Sequence, residues 1–282
     1  MKDPNFISAV LCIHNNAGCA GKFLTGLDGY LSERYKNYEI IIVDDCSSDG
    51  SLVEIRDAAG AVKGNVTIIK LPWYHGTEAA MIAGVNLSIG DFVFEIDSPD
   101  IDFEISLMGD IYKKMLSGYD VVAATPDIKP AFWSRAFYFI FSKYSKQRIS
   151  LKSEYLRVVS RRAINRFNEQ LFSFKYRKVN YQLTGFPITA VSYKPVRETR
   201  INKTSFRERL NLGLEVMLMY TGVGEKLAVN LSLFFILISV SLGLYSLVMF
   251  IRGIAVEGWT TTMLFLSFGF SGIFSLMGIL SK

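Results

Sequence analysis

The stretch Tyr38-Glu39-Ile40-Ile41-Ile42-Val43-Asp44-Asp45-Cys46-Ser47-Ser48 reads as a buried strand that stops at two carboxylates. Its core is a run of four β-branched residues, the pattern of a strand covered on both faces. Comparable apolar runs stand at Phe6–Ile13, Val66–Leu71, Phe92–Asp97 and Asp120–Ala124. Helical patterns separate them at Ala20–Tyr35, Ser51–Lys63, Glu78–Ser88 and Glu104–Ser117. Such alternation predicts an α/β fold: a Rossmann-like, mostly parallel sheet with helices on both faces. Ligands of these sheets bind outside the carboxyl ends of the strands. The residues leaving those ends are His14-Asn15-Asn16, Asp44 to Ser48, Trp73-Tyr74-His75 and Asp97-Ser98-Pro99-Asp100. No GxGxxG follows the first strand and no P-loop signature occurs, which disfavours a dinucleotide or P-loop site.

The second half is of a different kind. The segment from Phe132 to Lys226 is basic and aromatic-rich, with predicted helices at Phe132–Ser145 and Arg161–Asn168 and a strand at Ile188–Tyr193. Phe206–Tyr220 mixes charges with Leu and Met and reads as an amphipathic helix at a membrane surface. Beyond it, 25 residues from Leu227 to Ile251 and 24 from Gly258 to Ser281 carry no charge. Each exceeds the roughly 20 residues that a helix needs to cross a bilayer. The predicted organisation is therefore a catalytic domain at 1–204, a juxtamembrane segment at 205–226 and a two-helix membrane domain at 227–282, with spans at 227–251 and 258–281.

Asp3 and Pro4 at the start do not suit a secretory signal. Arg200, Lys203, Arg207, Arg209 and Lys226 precede the first span, Lys282 follows the second, and the connecting loop holds only Arg252 and Glu257. The positive-inside rule places both ends, and the catalytic domain, on the cytoplasmic side of the inner membrane. The net charge is +5, and its position beside the spans suits anionic headgroups or phosphate substrates better than nucleic acid. Cys12, Cys19 and Cys46 have neither disulfide-framework nor zinc-site spacing. The sequence leaves a homo-oligomer open.

Several segments, in order, resemble glycosyltransferase family 2, which has the GT-A fold. Ile41 to Ser51 is similar to its "IIVDDgSxDGS" signature, with Cys46 where that signature has glycine. Gly76-Thr77-Glu78-Ala79-Ala80 through Gly84, followed by Gly90-Asp91, resembles "GxEAAxxAG…GD". That form is typical of polyprenyl-phosphate sugar synthases, including dolichyl-phosphate mannose synthase and the bacterial enzymes that load undecaprenyl phosphate. Leu156 to Ala163 resembles "FRLxSRxA", Thr184-Gly185-Phe186 resembles "tGF", and Arg200 to Phe206 resembles "RxxGxSky".

The resemblance implies a transferase using a UDP- or GDP-sugar. It implies a nucleotide-sugar site of His14, Asn15, Asp44, Asp45, Ser47, Glu78 and Asp97, and a DxD-type motif where Asp97 stands. Pro99 holds the usual third position, so the metal set expected here is Asp97 with Asp100, and Asp102 as substitute. The cation is Mg²⁺ or Mn²⁺, since a diphosphate leaving group needs neutralising and such ions prefer carboxylate oxygen. Asp97, Asp100 and Arg157 form the expected catalytic set. Arg157, Arg161, Arg200, Lys203 and Ser205 are the expected acceptor-phosphate contacts.

A lipid phosphate is already an anion, so it can attack the anomeric carbon without a general base, whereas a sugar hydroxyl cannot. The primary reading is thus inverting transfer to a polyprenyl phosphate. Two rivals stand beside it: transfer to a lipid-linked or polysaccharide hydroxyl, with Asp120, Asp127 or Glu154 as nominal base, and an inactive nucleotide-binding membrane scaffold. Other departures from the family pattern are Thr125-Pro126-Asp127 after the fifth strand, where an arginine is usual, Tyr155 for an acidic residue, Trp73-Tyr74 for "RN" and Lys203 for glycine.

The charge pattern makes a topological prediction. A cysteine introduced as Ala255→Cys should react with a membrane-impermeant thiol reagent in intact cells, and one near residue 205 should not. The reverse pattern would invert the orientation.

Overall fold

Apolar residues on both faces of the central strands set the architecture. The structure is a computed structural model and describes residues 2–128, 141, 143–144, 154–169, 176–196, 206–254 and 256–280. In chain order it contains β1 (Asp3–Ile13), α1 (Ala20–Arg34), β2 (Tyr35–Asp44), α2 (Ser51–Ala59), β3 (Asn65–Lys70), α3 (Thr77–Leu87), β4 (Phe92–Ile96), α4 (Leu107–Leu116), β5 (Val121–Pro126), β6 (Leu156–Ser160), α5 (Arg161–Glu169), α6 (Arg177–Leu183), β7 (Ile188–Tyr193), α7 (Phe206–Tyr220), α8 (Val223–Ile251) and α9 (Trp259–Leu280). Two units result, one of residues 1–139 with 149–205, the other of residues 140–148 with 206–282.

The first unit is built on a seven-stranded sheet of order β3-β2-β1-β4-β6-β5-β7. Every pairing is parallel except those of β6, which runs antiparallel to both β4 and β5. This is the mostly parallel, Rossmann-like sheet that the alternating pattern predicts. Successive residues of a strand face opposite sides. Ile7, Ala9, Leu11 and Ile13 of β1 therefore enter one core with Leu24, Leu27 and Leu31 of α1 and Met108 and Ile111 of α4. Val10 and Cys12 enter the other with Ala80 and Met81 of α3 and Ala163 and Ile164 of α5.

The differences from the sequence reading lie where local signals are short. β6 is read there only as a motif, and α6 not at all. α2 ends at Ala59 rather than Lys63, just before Gly60, and α4 begins at Leu107 rather than Glu104. The predicted helix at Phe132–Ser145 lies outside the described residues, except Phe141, Lys143 and Tyr144, which are helical.

In the second unit, α8 and α9 are long and apolar enough to cross a membrane, with mean hydropathies of 2.4 over Val223–Ile251 and 1.4 over Trp259–Gly278. Large apolar side chains such as Phe234, Leu237 and Phe265 stand exposed, as lipid-facing residues would. Small residues line the seam between the two helices. A Cβ on Gly243 would lie 3.4 Å from Ser267, and one on Gly278 would lie 3.3 Å from Ser232. Small side chains at these points let the backbones approach, the usual basis of helix association in lipid.

Gly84 shows how tightly α3 sits on the sheet. A Cβ there would meet Val10 Cγ1 at 2.4 Å and Val43 Cγ2 at 2.8 Å, both in the immobile centre of the sheet. Gly84→Ala should destabilise the protein by about 1–3 kcal/mol through overpacking. A lowered thermal midpoint of the detergent-solubilised protein checks this, and an unchanged one refutes it.

Candidate active site

The carboxyl ends of β1, β2, β3 and β4 share one edge of the sheet, because these strands are parallel neighbours. Two non-glycine residues on this edge have left-handed backbones: Asn15 at φ 54° after β1 and Cys46 at φ 57° after β2. Such conformations cost of order 1–3 kcal/mol and persist only where surrounding contacts enforce them. Here the two loops lock together. Asn15 N donates to Ser47 Oγ (3.1 Å), and Ser48 N donates to Asn15 Oδ1 (2.9 Å). A left-handed residue at Cys46 also explains why glycine would suit that position.

Asp44 and Asp45, adjacent in sequence, have different surroundings. Asp45 is fully buried, and its two oxygens accept the backbone N–H groups of His75 and Gly76, each at 2.8 Å. The carboxylate thereby fixes the turn that launches α3, where Gly76 has φ 85°. So Asp45 acts first on the 73–76 loop. Asp44 Oδ1 accepts Ser47 N at 3.0 Å, while its Oδ2 is buried without a hydrogen-bond partner among the described residues. The His14 ring Nδ1–H donates to the Asp45 carbonyl (2.6 Å), and the ring lies 4.5 Å from that of Tyr74. The exposed Trp73 ring stacks on His75 at 5.0 Å.

β4 carries the other half of the site. Glu95 is the penultimate residue of this buried strand and Asp97 lies just past its end, two residues apart and so on the same face. An unpaired carboxylate in such a place is prohibitively costly. β6 supplies the first partner: its antiparallel register sets Arg157 opposite Glu95, and Arg157 Nη1 donates to Glu95 Oε2 at 3.2 Å. Arg157 Nε also pairs with Glu154 at 3.3 Å. α6 supplies the second. Arg177, fully buried, donates through Nη1 to Glu95 and through Nη2 to Asp97 Oδ1 at 2.8 Å. Its Nε and backbone N–H both reach Glu78 Oε2, at 3.2 and 3.0 Å. The Tyr181 hydroxyl donates to the remaining oxygen of Glu95.

Burial would raise the Asp97 pKa, but Arg177, Arg157 and Lys178 outweigh it and hold the carboxyl below its usual range. Burial works equally against the Arg177 cation, yet Glu78, Glu95 and Asp97 push its pKa well above the ordinary value. The Tyr181 phenol is driven up by its own burial and by Glu95, so it remains a donor. Asp97 is thus held ionised, Arg177 charged and Tyr181 neutral.

The cluster brings Asp97, Glu78 and Arg157 together, but not every expected residue joins them. Asp102 is buried and accepts the Tyr193 hydroxyl at 2.7 Å, a structural contact that replaces the metal-ligand expectation there. Asp100 is partly exposed, with its N–H on Ser98 Oγ at 3.2 Å. Arg161 is a clearer correction. Because β6 runs antiparallel to β4, the residue after its end lies at the start of β4, away from Asp97. There Arg161 donates to Gly90 O (2.9 Å) and Ser88 Oγ (3.0 Å), which rules it out as an acceptor-phosphate contact beside Asp97. Arg200, Lys203 and Ser205 lie outside the described residues. Of the nominal bases, Asp120 is held by Arg162 and Ser160 and Glu154 by Arg157, while Asp127 is exposed beyond β5.

Sequence reasoning misses Glu95, Arg177, Lys178 and Tyr181. A charge inside the apolar run Phe92–Ile96 is a readable sign that a buried cation must exist, but nothing in the sequence says which.

The carboxylates also bear on whether a divalent cation suits the site. Among the described residues no group of three or more His, Cys, Asp or Glu side chains forms a metal cage. Mg²⁺ does not need one: it commonly binds one or two carboxylates together with substrate phosphates. Glu78, Glu95, Asp97 and Glu154 outnumber Arg157, Arg177 and Lys178, which leaves the cluster a net anion that a bare diphosphate would not approach. The net charge of the cluster therefore suits a diphosphate that arrives with a divalent cation.

Comparison with known proteins agrees with this geometry. The sequence model described as glycosyl transferase family 2 matches residues 8–180. The undecaprenyl-phosphate 4-deoxy-4-formamido-L-arabinose transferase of Aeromonas hydrophila is 29% identical over 133 residues, which are 47% of this chain and 40% of that protein. The chain thus spans well under half of that relative. The Bacillus subtilis protein CsbB, which bears a glycosyltransferase name, is 26% identical over 245 residues, covering 82% of this chain and 73% of its own. Among solved structures, Mycobacterium tuberculosis glucosyl-3-phosphoglycerate synthase superposes with a TM-score of 0.56 at 16% identity, covering 76% of this chain and 79% of that one. A Pyrobaculum calidifontis mannosyltransferase, solved with GDP-Man and Mn²⁺, gives 0.55 at 13% identity, covering 77% and 63%.

Arg177 pairs with three carboxylates at once, so its removal strands them all. Arg177→Met should cost about 3–5 kcal/mol of stability, the range for breaking a buried ion pair from one side. Denaturant unfolding measures it; a loss under about 1 kcal/mol would show that the pairs are dispensable.

Proposed function

From the premise that this chain belongs to glycosyl transferase family 2, we propose that it moves a sugar, with inversion, from a nucleotide-sugar to a polyprenyl phosphate, of the undecaprenyl kind, for cell-envelope glycan or glycolipid synthesis. The observation that carries this reading is the pairing of the carboxylates. Glu78, Glu95, Asp97, Asp120 and Glu154 are each held by an arginine, so none of them is free to take a proton from a sugar hydroxyl. A phosphate acceptor needs no such base. The name of the Aeromonas relative supports the same acceptor.

The donor is read into the edge formed by β1, β2 and β4. Asp44 Oδ2 lacks a hydrogen-bond partner among the described residues, and a base N–H or ribose hydroxyl would satisfy it. His14, Asn15 and Ser47 form the adjoining loops, with the Tyr74 ring over His14. Asp97 with Asp100 would hold Mg²⁺ or Mn²⁺, whose chemistry there is to neutralise the diphosphate as it leaves. Arg177, itself anchored by Glu78, holds Asp97 ionised and in place, so no reorganisation is needed when charge develops. The acceptor oxygen, already anionic, attacks the anomeric carbon from the face opposite the leaving diphosphate.

The division into a catalytic domain at 1–204, a juxtamembrane segment at 205–226 and a membrane domain at 227–282 belongs to this reading. So does a bacterial inner-membrane location with the catalytic domain facing the cytoplasm. Arg200, Lys203 and Ser205 remain candidates for the lipid phosphate.

The test is turnover by the purified protein of UDP- and GDP-sugars with polyprenyl phosphate and Mn²⁺. Nucleoside diphosphate release should require both lipid phosphate and metal. Asp97→Asn should lower the rate by about 100-fold or more while the protein stays folded, since Arg177 keeps Glu78 and Glu95. Transfer to a lipid-linked hydroxyl instead, or nucleotide binding without turnover, would replace the proposal with one of its rivals.

A further inference from the structure

Three cations act on the charge of Asp97, and two are fully engaged. Arg157 is held by Glu95 and Glu154, and Arg177 by Glu78, Glu95 and Asp97. Neither can turn to a ligand without abandoning a buried carboxylate. Lys178 differs. It follows Arg177 on the first turn of α6 and feels the charges of Glu154 and Asp97. Among the described residues, however, no carboxylate lies within ion-pair distance of its ammonium, which donates no hydrogen bond. The ammonium lies 5.9 Å from the centroid of the Tyr155 ring, and the Tyr155 carbonyl accepts the Asp97 N–H at 3.0 Å.

An ammonium has three donors to satisfy. Burial alone would favour the neutral amine, but Tyr176, Glu154 and Asp97 outweigh it and hold the group charged. The residue is partly exposed, so a ligand can reach it. The Tyr155 face favours a cation without consuming its donors. Among the described residues, a charged ammonium with uncommitted donors thus faces Tyr155, whose carbonyl holds the backbone of Asp97.

We propose that Lys178 is a phosphate-binding residue of the transfer site: its ammonium donates to a phosphoryl oxygen of a substrate. This rests on the reading of Asp97 as the centre of transfer. Two phosphates meet there, the donor's diphosphate and the acceptor's monophosphate, and a compact ammonium suits either as a point charge. Arg177 and Lys178 then divide the work between adjacent positions: the guanidinium fixes the protein's own carboxylates, and the ammonium meets the substrate.

The experiment uses the full chain in detergent with Lys178→Gln and Lys178→Arg. Calorimetry gives the Kd for UDP and GDP, and initial rates give the KM for polyprenyl phosphate. Lys178→Gln should weaken one of these by about tenfold or more, and Lys178→Arg should retain most of the affinity. A raised nucleotide Kd with unchanged lipid KM identifies the donor diphosphate as the partner, and the converse identifies the lipid phosphate. Should the wild type show no turnover, the reading of the acceptor fails, yet nucleotide binding still tests Lys178. Acylation footprinting of the wild type makes the test independent of variant folding: UDP or farnesyl phosphate should protect Lys178. The proposal is overturned if neither ligand protects it, or if both affinities in Lys178→Gln stay within about twofold of wild type.

Discussion

Glu95 is the constraint around which the catalytic unit is arranged. A carboxylate in the central strand of a sheet covered on both faces has no access to water, so the chain must bring cations to it. It does so from two distant segments. The antiparallel insertion of β6 into an otherwise parallel sheet places Arg157 opposite Glu95, and α6 drives Arg177 into the same carboxylate. Tyr181, one turn further along α6, takes the remaining oxygen. Three elements far apart in sequence thus share one anchoring point. Because side chains repeat every second residue along a strand, the anchor that holds Glu95 also reaches Asp97.

Buried ion pairs add little net stability over a hydrophobic core, because desolvation consumes most of the Coulombic gain. Their effect here is positional. Arg177 forks to Glu78 on α3, Glu95 on β4 and Asp97 beyond it, so three elements cannot shift independently. Asp45 adds the corresponding tie from β2 to the turn before α3. The path from Asp45 through the His75–Gly76 turn, Glu78 and Arg177 to Asp97 is a continuous chain of polar contacts. It fixes the distance between the two acidic strand ends.

The sheet and its acidic strand ends are legible because they depend on local pattern. The run Ile40–Val43 can only be a buried strand, and Asp44-Asp45 can only mark its end. The two apolar stretches near the C-terminus are equally plain, since they need only length and composition. What is not legible is long-range. α6 is seven residues long, and no periodicity distinguishes it within a basic, aromatic segment, so the residues that complete the site pass unremarked. Arg161 misleads for the opposite reason: it lies in a recognisable motif, but the direction of β6, which decides which end of the sheet it serves, is not written in that motif. Asp102 misleads by proximity in sequence, while Tyr193 claims it in space.

The charge balance of the cluster connects fold to chemistry. Were the carboxylates around Asp97 fully matched by cations, the site would be complete in itself and indifferent to further charge. Were they far in excess, no anionic substrate could enter. The cluster instead lies slightly on the acidic side, with its two arginines already spent on protein carboxylates and its lysine unspent. Under the proposed function, a diphosphate arriving with a divalent cation would correct the excess, and an anionic acceptor would still meet the Lys178 ammonium. The same balance weighs against hydroxyl acceptors. A general base must be a carboxylate free to gain a proton, and Glu78, Glu95, Asp97 and Glu154 are each paired with an arginine.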